Sequence, residues 1–255
     1  MSKPIYVSLT SIFQNQNILV KTLNSIKTQS LNINKCYIYL SENEYLLDKG
    51  FKDKNITNEK LKHFLHENID IFEVKWVYNT GPYRKLLPLL KEKWNEDCII
   101  ITLDDDTEYN PELIKSMVQR YNLYNCVINF RGFTLNKNNN QFSYSNRAKT
   151  INLHKYNFFT GKGGVLYHPS FFHNTNELIF NHNLYSQLCK TTDDVWFNIV
   201  RICNNVNCFI EDFPYMLKDN TSSYGLFTNY NSKNDRNTIN INNTIKVLNA
   251  LGLTI

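Results

Sequence analysis

Three consecutive aspartates, Asp104, Asp105 and Asp106, follow directly on the apolar run Cys98 to Leu103, which reads Cys-Ile-Ile-Ile-Thr-Leu. Adjacent carboxylates at the end of a buried strand repel one another and burden folding unless a cation neutralises them. Hard oxygen ligands suit Mg²⁺ or Mn²⁺, which then bridges to a diphosphate. In an extended segment residues two apart face the same side. Asp104 and Asp106 can therefore converge on one ligand while Asp105 points elsewhere. The alternative is a solvated acidic loop in which Asp106 begins a turn; the apolarity of the preceding run favours the metal and nucleotide reading.

A second acidic pair, Asp193 and Asp194, stands in Thr-Asp-Asp-Val-Trp-Phe. One aspartate there is explained by a helix cap and the helix dipole; the second is explained less well. The functional reading is a general base that takes the proton from an acceptor hydroxyl. The two are compatible, because a capping position holds a carboxylate rigidly. Gly161-Lys162-Gly163-Gly164 lets backbone approach a ligand, but no Walker A spacing follows, and taken alone the segment reads better as a simple turn. Thr80 to Lys85 opens a helix after a strand, where N–H groups attract phosphate; Arg84 and Lys85 either add charge there or form a solvated helix face. The six histidines (His63, His66, His154, His168, His173, His182) are scattered, and no nucleophile elbow or Cys–His pairing anchors a hydrolase.

The elements that must position these residues alternate. Short apolar runs and helical patterns follow one another, the mark of a βα series with a mostly parallel sheet. Strands are expected at Ile5–Leu9, Cys36–Leu40, Phe72–Val77, Cys98–Leu103, Cys126–Phe130 and Cys208–Phe213. Helices are expected over Ile18–Lys27, around Leu61 to Leu65, from Gly81-Pro82 through Trp94, from the Asn110-Pro111 cap to about Tyr124, from Thr192 onward, and over Asn242–Leu251. Residues 134–150 read as a long surface loop and 214–240 as a polar, Tyr- and Asn-rich segment that could close over a ligand. The spacing gives one domain over 1–255, with halves at 1–130 and 131–255.

Composition narrows the class. The formal net charge is +5, which suits an anionic ligand or weak attraction to an acidic membrane surface and, with no basic stripe, argues against nucleic acid. The six cysteines form no C-x-x-C pair, and Cys36, Cys98, Cys126 and Cys208 sit in apolar runs as small hydrophobes. Free thiols in strands, no signal peptide and no apolar stretch of spanning length lead to the expectation of a soluble cytoplasmic protein.

Taken together, these pieces resemble the GT-A glycosyltransferase fold and, within it, a bacterial and viral group of family-2-like glycosyltransferases. The likeness rests on Val7-Ser8-Leu9-Thr10-Ser11, Leu40-Ser41-Glu42, Gly81 to Pro88, the aspartate triplet, Gly163-Gly164-Val165-Leu166-Tyr167 and Asp193 to Phe197, in that order. The resemblance implies an α/β fold and a metal-dependent transfer from a nucleotide sugar, UDP by default, to a hydroxyl of a glycan or other acceptor, with inversion. It implies that Ser8 to Ser11, with Thr10 and Ser11 foremost, line the base and ribose. Lys85 lies near ribose or diphosphate, Asp104 and Asp105 near ribose and metal, and Asp106 with Asp104 binds Mn²⁺ or Mg²⁺. Gly163 and Gly164 line the donor sugar. Asp194 is the base, with Asp193 its rival. The chain departs from the pattern where Gln14, Asn15 and Gln16 replace an Arg, and where no histidine follows His182, so a further metal ligand would be Asp235, a water or nothing. The rival readings are a nucleotidyltransferase, for which Val7 to Ser11 lacks the Gly-rich basic loop, a non-catalytic sugar- or nucleotide-binding module, and an interaction protein with a solvated triplet.

Overall fold

A computed structural model of the chain describes residues 3–138, 141–147, 152–220, 222–232, 235–253 and 255. The first half builds four strands in parallel: β1 (Ile5–Thr10), β2 (Lys35–Leu40), β3 (Phe72–Trp76) and β4 (Ile99–Thr102). Helices α1 (Gln16–Lys27), α2 (Glu59–Glu67) and α3 (Leu87–Glu92) connect them. Leu19, Leu23 and Ile26 bury the inner face of α1, the spacing that its sequence displays. Ile99, Ile100 and Ile101 are all within 2% of full burial. Each such side chain contributes about 1.5–3 kcal/mol, which makes β4 the anchor of the sheet.

A short strand β5 (Thr107–Tyr109) and helix α4 (Leu113–Tyr124) follow. Next come β6 (Val127–Asn129), the β7 (Gly132–Asn138) and β8 (Gln141–Arg147) hairpin, β9 (Asn152–His154), β10 (Asn157–Phe159) and β11 (Val165–Tyr167). Helices α5 (Asn176–Ile179), α6 (His182–Leu188) and α7 (Asp193–Cys203) lead to β12 (Cys208–Ile210), β13 (Met216–Asp219) and the closing helix α8 (Arg236–Ala250). The main sheet runs β3-β2-β1-β4-β11-β6-β12-β9. Only β11 and β9 run against their neighbours, so the expected mostly parallel α/β sheet is present. Because β11 inserts between β4 and β6, it brings the Gly161 loop to the end of β4.

Several boundaries differ from expectation for local reasons. The helix expected from Gly81 through Trp94 is two pieces: a tight 3₁₀ turn over Gly81–Lys85 and then α3, with Pro88 in its first turn, where a missing N–H is harmless. Asn110 does not cap α4; Asn110 and Pro111 form a turn before it, and the Asn110 side chain accepts from the Glu112 N–H at 2.9 Å. The loop expected over 134–150 is largely the β7–β8 hairpin. Leu135 and Phe142 are buried in it, and Asn242 of α8 exchanges hydrogen bonds with the Phe142 backbone at 2.8 and 2.7 Å. Part of the expected irregular stretch 214–240 is β13, paired with β5, and α8 begins at Arg236. Residues 139, 140, 148–151, 221, 233 and 234 lie outside the described residues. All six cysteines are free and only Cys203 is not fully buried, as expected of small core hydrophobes. No helix among the described residues is long and apolar enough to cross a membrane.

Candidate active site

Parallel pairing of β1 with β4, in a register that sets Ser8 opposite Thr102, carries the chain after Thr10 and the aspartate triplet out at the same edge of the sheet. In open α/β sheets ligands lie beyond the carboxyl ends of strands. Asp105 turns back to the β1–α1 connection: its carboxylate accepts from the Ser11 hydroxyl and from Asn15 Nδ2 at 3.1 Å, and its carbonyl accepts from Thr22 Oγ1 at 2.8 Å. Burial, then the charge of Asp106, pushes the Asp105 carboxyl up to about 7, against those hydrogen bonds. Asp104 faces the other way. Its N–H donates to Tyr109 Oη at 2.8 Å, and its Oδ1 lies 3.1 Å from Lys85 Nζ. Asp106 is fixed by β13, whose neighbour Asn220 donates its N–H to the Asp106 carbonyl at 2.9 Å. Burial and then the Asp104 charge raise the Asp106 carboxyl, while Lys162 counteracts.

Lys85 ties the triplet to the second acidic pair. The 3₁₀ turn aims it inward, and the Ser8 hydroxyl donates to its carbonyl. Its Nζ stands 3.1 Å from Asp104 Oδ1 and 3.1 Å from Asp193 Oδ2. Burial acts to discharge the ammonium, but Asp104, Asp193 and Asp194 outweigh it and hold it charged. Asp193 Oδ2 is at ion-pair distance yet off the line of a hydrogen bond, and it has no other donor among the described residues. Asp194 has a different partner: the Gly161 N–H points between its two carboxylate oxygens, 3.1 Å from each. Burial, then the neighbouring Asp193 charge, pushes Asp194 up to about 7. A Cβ on Gly161 would lie 2.6 Å from Lys85 Nζ and 3.1 Å from Asp104 Oδ1, so glycine is what lets the loop close on this cluster. Thr192 precedes α7 but makes no side-chain cap, and Asp193 and Asp194 both stand in the first turn of that helix, where its dipole favours a carboxylate.

These groups line one cleft of about 630 Å³. Thr10 and Ser11 are on its wall, whereas Ser8 is buried beneath it. Gly163 and Gly164 are not on the wall either. They sit behind it, Gly163 against the Arg131 backbone and Gly164, at φ +71°, against Leu103 and Met117; Thr160 and Lys162 face the cleft there. Further lining comes from residues 222–232 and from Asp235 and Asn237, latched by a 2.7 Å hydrogen bond from the Ser222 hydroxyl to Asn15 Oδ1.

No family model and no curated protein matches the sequence. Solved structures do match. S. aureus TarS 1–349 in complex with UDP-GlcNAc aligns at a TM-score of 0.58 and 13% identity, over 89% of this chain and 61% of that one. The fold is of the GT-A type. A 4-diphosphocytidyl-2C-methyl-D-erythritol synthase from Anaerococcus prevotii aligns at a TM-score of 0.54 and 12% identity, over 89% of this chain and 95% of that one. This chain thus spans less than two thirds of the TarS fragment with UDP-GlcNAc, and the likeness extends to the fold alone.

One feature of the cleft carries no mark in the sequence. Asp48 and Arg84 form a buried ion pair at 2.9 Å beside Thr10 and Ser11. Asp48 also accepts from the Phe13 and Gly50 N–H groups and from Asn79 Nδ2. Arg84 Nη1 is buried without a partner among the described residues. Gln16, one of the three residues in the stretch where the resemblance led to an expected Arg, accepts from the Thr57 and Asn58 backbone. Arg84 was visible in sequence as a charge, but Asp48 stands alone in a polar stretch with nothing to mark it.

The residues suit a divalent cation in one manner. Among the described residues no three His, Cys, Asp or Glu side chains stand close enough to enclose a metal. Asp104 and Asp106 nevertheless crowd like charge against burial, and Mg²⁺-type sites commonly use one or two carboxylates and complete the shell with phosphate and water. Asp235 lies exposed on the rim at the start of α8.

Proposed function

We propose that the chain is a metal-dependent glycosyltransferase that moves a sugar from a nucleotide diphosphate sugar, a UDP-sugar in the first instance, to a hydroxyl acceptor with inversion. One observation carries this reading: Lys85 Nζ stands 3.1 Å from both Asp104 and Asp193, so the aspartate triplet and the second acidic pair share one cleft. The bound UDP-GlcNAc of TarS, on the same fold, supports the choice of donor class.

In this reading Thr10, Ser11 and Asp105 receive the nucleoside, while Asp104 and Asp106 are the residues that would hold Mn²⁺ or Mg²⁺. A divalent ion there supplies positive charge to the departing diphosphate. Lys85 fixes Asp104 and contributes its own charge to the same end of the cleft. Asp194 takes the acceptor proton as the acceptor oxygen bonds to the anomeric carbon and the sugar–phosphate bond breaks, its electron pair leaving with the nucleotide diphosphate. Asp194 suits this role better than Asp193, because Lys85 already holds Asp193 while only a backbone N–H holds Asp194. The segment 222–232 covers the cleft and excludes water.

The synthase on the same fold favours a second reading, transfer of a nucleotidyl group. The loop after β1, Ser11 to Asn15, carries no basic residue for a triphosphate, which weighs against it. Product analysis separates the two. Incubation with UDP-GlcNAc and other nucleotide sugars plus Mn²⁺ is expected to release a nucleoside diphosphate. Release of pyrophosphate from CTP or UTP with a sugar phosphate, and no diphosphate from any nucleotide sugar, would overturn the glycosyltransferase reading.

A further inference from the structure

We infer that the cleft recognises an anionic group, a phosphate or a carboxylate, through the guanidinium of Arg131; this rests on the nucleotide-sugar reading above. Arg131 follows β6 and lines the cleft beside Thr160, Lys162 and Asp194. Its main chain is pinned. The N–H donates to Asn129 Oδ1 at 3.1 Å, and the carbonyl accepts from the Thr160 N–H at 3.1 Å and the Thr160 hydroxyl at 3.0 Å. Gly163 abuts it so closely that a Cβ there would lie 2.6 Å from Arg131 Cβ and N. The side chain is aimed as well: Nη1 donates to Thr160 Oγ1 at 2.6 Å, and the guanidinium carbon lies 5.8 Å from the centre of the Phe133 ring.

What Arg131 lacks is a counter-charge. Arg84 has Asp48 and Arg120 has Glu211. Arg201 is buried on the carbonyls of Lys155, Asn157 and Val206. Among the described residues no carboxylate stands within ion-pair distance of Arg131. Asp194, which lines the same cleft, accepts instead from the Gly161 N–H. A fork held in place by one hydroxyl, with its remaining N–H groups free for a ligand, matches a planar carboxylate or a phosphate in two-point contact. A neutral sugar alone would leave that charge unmatched.

The anionic group can belong to the acceptor or to the donor sugar, and calorimetry on the intact chain distinguishes them. In the acceptor arm, protein saturated with UDP and Mn²⁺ is titrated with glucose 6-phosphate and with glucose. In the donor arm, UDP-glucuronate is compared with UDP-glucose. The expected result is that in one arm the charged ligand binds about tenfold or more tighter than its neutral counterpart. Arg131→Gln removes that preference with UDP affinity unchanged, and Arg131→Lys keeps part of it. Thermal melts establish that the variants fold; should the glutamine variant be unfolded, a preference undiminished in the lysine variant overturns the inference. Equal affinities in both arms, or a preference that survives Arg131→Gln, overturn it too. If wild-type protein fails to bind UDP at all, the nucleotide-sugar reading falls and this inference with it; UDP binding without any Arg131-dependent preference defeats this inference alone.

Discussion

Asp194 is held by one backbone N–H and pushed up to about 7 by burial and by Asp193. A general base works in its charged form, so lowering pH through that value switches it off. Transfer measured as kcat/KM is therefore expected to rise about tenfold per pH unit below about 7 and to level off above it; a profile flat across that range contradicts the assignment. Asp194→Asn should cut kcat by about 10²–10⁴-fold while leaving UDP affinity unchanged, measured by calorimetry beside the rate. Asp105 also sits at about 7, but here the consequence is for stability. The unfolded carboxyl titrates near about 4, so the folded chain holds that proton more tightly. The stabilising contribution is complete below about pH 4 and is lost as pH rises through about 7. Melts in chelator should show Asp105→Asn gaining on wild type between those limits, with no such gain if the carboxyl is solvated. At this scale the aspartates and Lys85 were legible because charge beside an apolar run is conspicuous in sequence. Asp48 was not, since what makes it matter is its burial against Arg84, a partner that only the fold brings near.

The elements were legible in proportion to how far their own sequence determines them. The run at Ile99 to Ile101 is apolar on both faces and can only be a central strand. Pro88 cannot donate the N–H that a helix continuous from Gly81 would need, so the chain divides before it, at Leu86, yet two short helical pieces and one long one share the same apolar spacing of Leu86, Leu87 and Leu90. Strands β5 and β13 were invisible. Each is short, each finds its pairing partner far along the chain, and Met216–Asp219 exposes all of its side chains, so no alternation marks it. The glycine loop was recognised, but the glycines that matter were mistaken in kind: Gly161 yields room at the cleft, and Gly164 yields room to the core. Gly164→Ala would force a Cβ to 2.9 Å from Met117 and 3.0 Å from Leu103 at a positive φ. It should cost about 1–3 kcal/mol, read as a lower denaturation midpoint. Gly161→Ala should instead leave stability nearer wild type, because Lys85 Nζ is the end of a flexible chain, but weaken cation-dependent UDP binding by displacing that ammonium from Asp104.

At the scale of the molecule, one sheet gathers segments distant in sequence. β1 and β4 deliver Ser11 and the aspartate triplet, the turn before α3 delivers Lys85, and β11 draws in the Gly161 loop that grips Asp194. The mostly parallel order was foreseeable from the alternation of strands and helices; the insertion of β11 between β4 and β6 was not, because local pattern does not encode pairing across the chain. The gathered cleft holds five carboxylates, Asp104, Asp105, Asp106, Asp193 and Asp194, around the buried ammonium of Lys85, an excess of negative charge that a divalent cation would relieve. Titration calorimetry of UDP, with Mn²⁺ and with chelator, on wild type and Asp106→Asn tests this most directly. Wild type should bind UDP at least about tenfold tighter with Mn²⁺, and Asp106→Asn should erase that difference without altering the melt. UDP binding that is indifferent to both Mn²⁺ and Asp106, or no binding of UDP at all, would contradict the account.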